Sequence, residues 1–128
     1  DSDSAIKSKT TKQTVPNVMG QSIKQASDDL TKAGFRVAVV GSNGKVTEQS
    51  LLPQQKSLTN QLVILTAKGN THLPDMTGWS LTDAQAFAHA AGFDLTWSGS
   101  GYVTRQLTPK DQLVVGNSKV AIELKEKQ

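Results

Sequence analysis

The chain has 128 residues, 36% hydrophobic and 5% aromatic, with 14 basic and 11 acidic side chains for a net charge of +3. It holds no cysteine, which excludes disulfide staples and thiolate metal sites, and no apolar run approaches the ~20 residues of a membrane helix. Its cations are scattered one or two at a time instead of lining a stripe with aromatic residues between them, so no nucleic-acid surface is expected.

In chain order, residues 1–14 are polar and without periodicity and read as a flexible tail or linker. They begin at Asp1 without an export signal, so the chain reads as a fragment or as one whose signal lies outside it. A repeat follows. Val15-Pro16-Asn17-Val18-Met19-Gly20-Gln21-Ser22 answers to Leu73-Pro74-Asp75-Met76-Thr77-Gly78-Trp79-Ser80, and the same offset carries Ala33-Gly34-Phe35 onto Ala91-Gly92-Phe93 and Gly41-Ser42 onto Gly99-Ser100. One residue is then dropped, after which Val46-Thr47 and Gln49 meet Val103-Thr104 and Gln106, and Asn60 and Val63 meet Asn117 and Val120. The expected units are 15–69 and 73–128, joined by a linker at 70–72.

Each unit opens with an apolar-Pro pair, which favours extended backbone, and a glycine that turns the chain. A helix comes next. Ser22 with Gln25 forms a capping-box pattern ahead of Ile23, Ala26, Leu30 and Ala33, and Ser80 precedes Leu81, Ala84, Ala88 and Ala91 at the same helical spacing. Gly34 and Gly92 stand where a left-handed C-cap belongs, and the period then changes to two, with Phe35, Val37 and Val39 in one unit and Phe93, Leu95 and Trp97 in the other. Glycine-rich turns at 41–44 and 99–101 lead to second strands near 46–49 and 102–106, expected to pair locally and antiparallel with the first. A loop with Pro53 or Pro109 ends in a third strand at 61–67 or 119–125. The expected fold is α+β, two tandem small domains, each one helix on a three-stranded antiparallel sheet.

Catalytic patterns are weak. Ser4-Ala5-Ile6-Lys7 and Ser42-Asn43-Gly44-Lys45 match Ser-x-x-Lys, but 12 Ser and 12 Lys make about one match expected by chance, and no Ser-Asp-Asn or Lys-Thr-Gly accompanies them. His72 and His89 are far apart, and Asp83 lies around the helix from His89, so neither a nucleophile triad nor a metal ligand spacing is legible. No catalytic residue, metal or cofactor is expected.

The motif apolar-Pro-x-apolar-x-Gly-x-Ser, the Ala-rich helix ending Ala-Gly-Phe and the later Gln49 or Gln106 ahead of a Pro-containing loop resemble the PASTA domain, twice, over residues 15 to about 126. The second copy, with Asp75-Met76-Thr77-Gly78-Trp79 and Trp97-Ser98-Gly99-Ser100-Gly101, is similar to the terminal PASTA domain of class B penicillin-binding proteins of Gram-positive bacteria. The resemblance implies a non-catalytic module at the extracellular face of the cytoplasmic membrane, tethered through a part of the parent outside this chain. Its implied partners are the parent's transpeptidase domain and peptidoglycan, muropeptide or β-lactam. The alternatives are the sensor ectodomain of a PASTA-type serine/threonine kinase, although those usually string three or four copies, and a purely structural spacer.

The residues suited to ligand contact are Trp79, Trp97, Arg105 and Gln106. An indole stacks on sugar rings and apolar rims while its N–H makes one directed bond, and a guanidinium grips a carboxylate. Against this, Trp97 falls on the alternation with Phe93 and Leu95, which reads first as core packing, and Trp79 stands beside a helix cap. Both tryptophans belong to the second copy, since Gln21 and Val39 take their places in the first. There Arg36, Lys45 and Lys68 are the expected contacts to anionic wall polymers, through a salt-sensitive attraction.

Overall fold

A computed structural model of the chain describes residues 11–126. Twelve elements follow one another: β1 (Lys12–Thr14), α1 (Ile23–Lys32), β2 (Arg36–Val40), β3 (Asn43–Gln49), β4 (Lys56–Leu58), β5 (Leu62–Lys68), β6 (Thr71–His72), α2 (Leu81–Ala91), β7 (Asp94–Ser98), β8 (Tyr102–Gln106), β9 (Leu113–Val114) and β10 (Lys119–Lys125). They form two compact units, one running to residue 39 and including 43–68, the other taking 40–42 and everything from 69 onward.

In the first unit Ser22 Oγ accepts the Gln25 N–H at 3.2 Å and so caps α1. The helix stops at Gly34, whose φ of 96° is the left-handed conformation a side chain resists, and Phe35 N–H bonds back to Leu30 O at 3.0 Å. The buried stripe of α1, Ala26 and Leu30, packs with Val15, Val18, Phe35, Val46, Val63 and Leu65. Full burial of Leu30 and of Leu65 contributes roughly 2 kcal/mol each.

The sheets differ from the all-antiparallel arrangement expected. Strand order is β2-β5-β3 in the first unit and β7-β10-β8 in the second, so the third strand of each lies between the first two. In the second unit β10 runs parallel to β7, from Lys119 opposite Asp94 to Glu123 opposite Ser98, and antiparallel to β8. The sheet is therefore mixed and the expected local hairpin is absent. The reason is burial: the middle strand is shielded on both edges, and the apolar runs of β5 and β10 gain most from that place. The turn from β7 to β8 then has to arch over a strand instead of closing a hairpin. It lies so near the end of β10 that a Cβ on Gly99 would stand 2.2 Å from Leu124 O, and one on Gly101 2.3 Å from Lys125 O.

Of the segment expected as a tail, residues 1–10 lie outside the described residues, whereas Lys12–Thr14 pairs antiparallel with Lys56–Leu58. In the expected linker, Thr71–His72 pairs in the same way with Leu113–Val114. Both ladders run on into the apolar residue that follows: Val15 exchanges bonds of 2.8 Å with Gln54 and Gln55, and Leu73 bonds of 2.6 and 2.9 Å with Asp111 and Gln112. Pro16 and Pro74, lacking an N–H, end them. The next residue makes a side-chain turn, with Asn17 Oδ1 accepting from Met19 N–H at 3.1 Å and Asp75 Oδ1 from Thr77 N–H at 3.0 Å.

Gln49 holds this leading segment down. Its Oε1 accepts the Val18 N–H, and its Nε2 donates to Pro16 O and Leu51 O, all at 3.0 Å. Gln49→Ala is expected to cost about 2–3 kcal/mol, because the buried Val18 N–H and two carbonyls lose partners where little water reaches. Urea denaturation with amide exchange at Val18 measures it, and a loss under about 0.5 kcal/mol would contradict that role.

The Asp75 carboxyl lies below its ordinary value of 3.8, chiefly through the hydroxyl of Thr77, then its N–H, with Lys110 adding to them. A depressed carboxyl gives stability that is complete above its unfolded pKa and is lost as pH falls through the lower folded value. Asp75→Asn keeps the turn, as Asn17 does in the first unit, without the charge. Thermal midpoints of the two proteins are expected to converge below about pH 4; a difference independent of pH would count against the charge.

Candidate functional site

The structure separates the four residues proposed for the second unit. Trp79 is only 8% exposed and meets Phe87 edge-on, ring centres 5.9 Å apart at 80°, while Phe87 leans on Phe93 at 6.0 Å. It is a core residue, and the corresponding ring positions in the first unit are Gln21, Asp29 and Phe35. Trp97, expected in the core, is 44% exposed. It stands in register with Ile122, so the alternation with Phe93 and Leu95 holds as a face. Burial falls along that face from Phe93 through Leu95 to Trp97 as β7 leaves the end of α2.

Arg105 lies on β8, across β10 from Trp97, and faces Glu123 at 3.8 Å in a solvent-exposed pair. Such a pair contributes less than about 1 kcal/mol and leaves the guanidinium accessible. Gln106 repeats the duty of Gln49, with Oε1 accepting from Met76 N–H and Nε2 donating to Thr108 O at 3.3 Å. Its amide is spent on the scaffold. In the first unit Arg36 is half-buried and its Nε donates to Asn60 O at 2.8 Å, while Lys45 and Lys68 are exposed near the ends of β3 and β5.

His72 lies opposite Leu113 in the small ladder and His89 in the last turn of α2. Among the described residues no three His, Cys, Asp or Glu side chains converge as a metal site would require.

What the sequence does not reveal is a concave surface of the second unit. Two clefts of ≈ 350 Å³ each meet at Thr77. One is walled by Gly78, Tyr102, Val103, Thr104, Lys125 and Glu126, the other by Asp75, Gln106, Pro109 and Lys110. The Asp75-Met76-Thr77-Gly78 turn is readable in the sequence, but its meeting with Lys125 depends on β10 lying beside β8. Gly78 N–H donates to Val103 O and Val103 N–H to Trp79 O, both at 2.8 Å, which fixes the turn on the edge of β8.

No curated protein sequence matches the chain. Among solved structures, penicillin-binding protein 2X from Streptococcus thermophilus is similar at 23% identity with a TM-score of 0.72; the match covers 89% of this chain and 17% of that one. The chain thus spans a small part of that protein's length. A three-PASTA-domain structure of a Ser/Thr kinase from Staphylococcus aureus is similar at 17% identity, TM-score 0.40, covering 91% of this chain and 66% of that one. The entire extracellular region of the Ser/Thr kinase PrkC from Staphylococcus aureus gives 20% identity and a TM-score of 0.37, covering 92% and 49%. The PASTA domain family itself matches residues 13–68 and again 71–126, and the chain belongs to that family as two tandem copies.

Proposed function

We propose that the chain is a non-catalytic, extracellular cell-wall module of a penicillin-binding protein, one that supports or positions the transpeptidase domain of the same polypeptide and binds peptidoglycan fragments weakly. PASTA domains are non-catalytic modules. The observation that carries the choice of parent is the likeness to penicillin-binding protein 2X over 89% of the chain. The Asp75-Met76-Thr77-Gly78-Trp79 motif points the same way. Among the described residues no helix is long and apolar enough to cross a membrane, so on this reading the tether belongs to another part of the parent.

The two halves of the proposal are tested separately. Removing residues 15–128 from the full-length parent is expected to lower its melting temperature or its acylation rate, and no change in either would end the supporting role. For binding, an isotope-labelled chain titrated with muropeptide is expected to show saturable amide shifts in the second unit. A dissociation constant near 1 mM, about 4 kcal/mol, suits an open surface with few anchors. Absence of any shift at about ten times that concentration would end the binding role.

A further inference from the structure

We propose that the chain associates with a second copy of itself through the free edge of β7, joining the three-stranded sheets of two second units into one sheet of six strands. β7 is an outer strand of its sheet, with β10 on one side only. Asp94 N–H donates to Ser118 O at 2.8 Å, toward β10. Alternate residues of a strand present their backbone groups to opposite edges, so Asp94, Thr96 and Ser98 serve β10 while the N–H and C=O of Leu95 and Trp97 turn to the free edge. Such an edge is a template for another strand, and Asp94–Ser98 has no proline, lysine or bulge to blunt it.

The occupant follows from what the strand meets when it is turned about Thr96 and laid antiparallel on its own copy. Leu95 then exchanges both backbone bonds with Trp97 of the second copy, and Trp97 with its Leu95, four hydrogen bonds from groups otherwise left to water. The same pairs set the half-buried Leu95 against an indole that is 44% exposed. On the other face Asp94, the only charge of the strand, stands opposite the Ser98 hydroxyl instead of another carboxylate. The strand is complementary to its own reverse in hydrogen bonds, apolar contact and charge, as a two-fold contact requires. One short strand from each copy falls at the small end of interfaces, below roughly 1,200 Å², and a dissociation constant on the order of 100 µM suits it.

The first unit is an internal contrast. Its β2 has Arg36, Val37, Ala38, Val39 and Val40 at the aligned positions, and the same turn would set the Arg36 guanidinium opposite an apolar Val40. Every residue of β2 is buried or half-buried, whereas all of β7 except Leu95 is exposed. The self-pairing edge is therefore assigned to the second unit alone.

The test is sedimentation equilibrium of the whole chain from about 10 µM to about 1 mM, beside Thr96→Lys and Thr96→Glu, alone and mixed. Thr96 is exposed, its hydroxyl makes only a 3.4 Å bond to Val120 O, and in the dimer it faces its own copy at a distance of about 5 Å. Either charge thus repels itself across the contact while the fold, checked by thermal melting, is kept. The unmodified chain is expected to dimerise, each charged variant to remain monomeric, and their equal mixture to recover the dimer, because Lys then faces Glu. Trp97→Ala is expected to weaken association about tenfold through the loss of two cross-strand aromatic contacts. A chain that stays monomeric at about 1 mM overturns the proposal. So does a dimer that persists in both charged variants, or a mixture no more dimeric than its parts.

Discussion

Each unit depends on one side-chain amide, buried in the first and half-buried in the second. The segment that leads into the helix has a proline and several backbone groups no strand neighbour serves, and it crosses the open side of the core. Gln49 and Gln106 satisfy these groups from the end of an edge strand: a side chain with one acceptor and one donor arm matches an N–H and a carbonyl together. Neither Glu nor Leu supplies both. With the segment held, Val15 and Val18, or Leu73 and Met76, seal the core, and the glycine that follows delivers Ser22 or Ser80 to its helix.

On this common scaffold the two copies differ in what they bury and what they show. The second closes its core with Trp79, Phe87 and Phe93, where the first has Gln21, Asp29 and Phe35. One tryptophan has therefore become structural, and the accessible aromatic surface of the second copy is left to Trp97 and Tyr102. The mixed-charge clefts beside Thr77 also belong to the second copy. The first presents Lys45 and Lys68 to solvent, a surface for diffuse attraction more than for a fitted ligand.

The helices and their limits were readable because their signals are local. Ser22 and Ser80 cap the first turns, Gly34 and Gly92 adopt the left-handed conformation beyond the last, and the third strand of the second copy spans 119–125. Even the matching Asn60 and Asn117 have a reason, since both hold a positive φ that asparagine tolerates better than most residues. Strand order was not readable, because apolar alternation names a buried face and says nothing of which neighbour lies at each edge. The short ladders were hidden in the same way: two or three polar residues such as Lys12-Gln13-Thr14 carry no periodicity, and their pairing is borrowed from Val15. Trp97 had its face legible but not its depth, and Lys125 reaches the groove only through that unforeseen strand order.

The middle strand of each sheet is also the last one in its unit, and this sets the order in which the chain can become stable. Until 62–68 or 119–125 has been synthesised, the two outer strands have no partner between them and the helix has half a floor. Each unit must therefore keep its apolar strands unpaired until its final stretch emerges, a high-separation closure that makes folding slower than the short length suggests. On the ribosome the first copy has all the strands of its sheet available for pairing while the third strand of the second has yet to emerge.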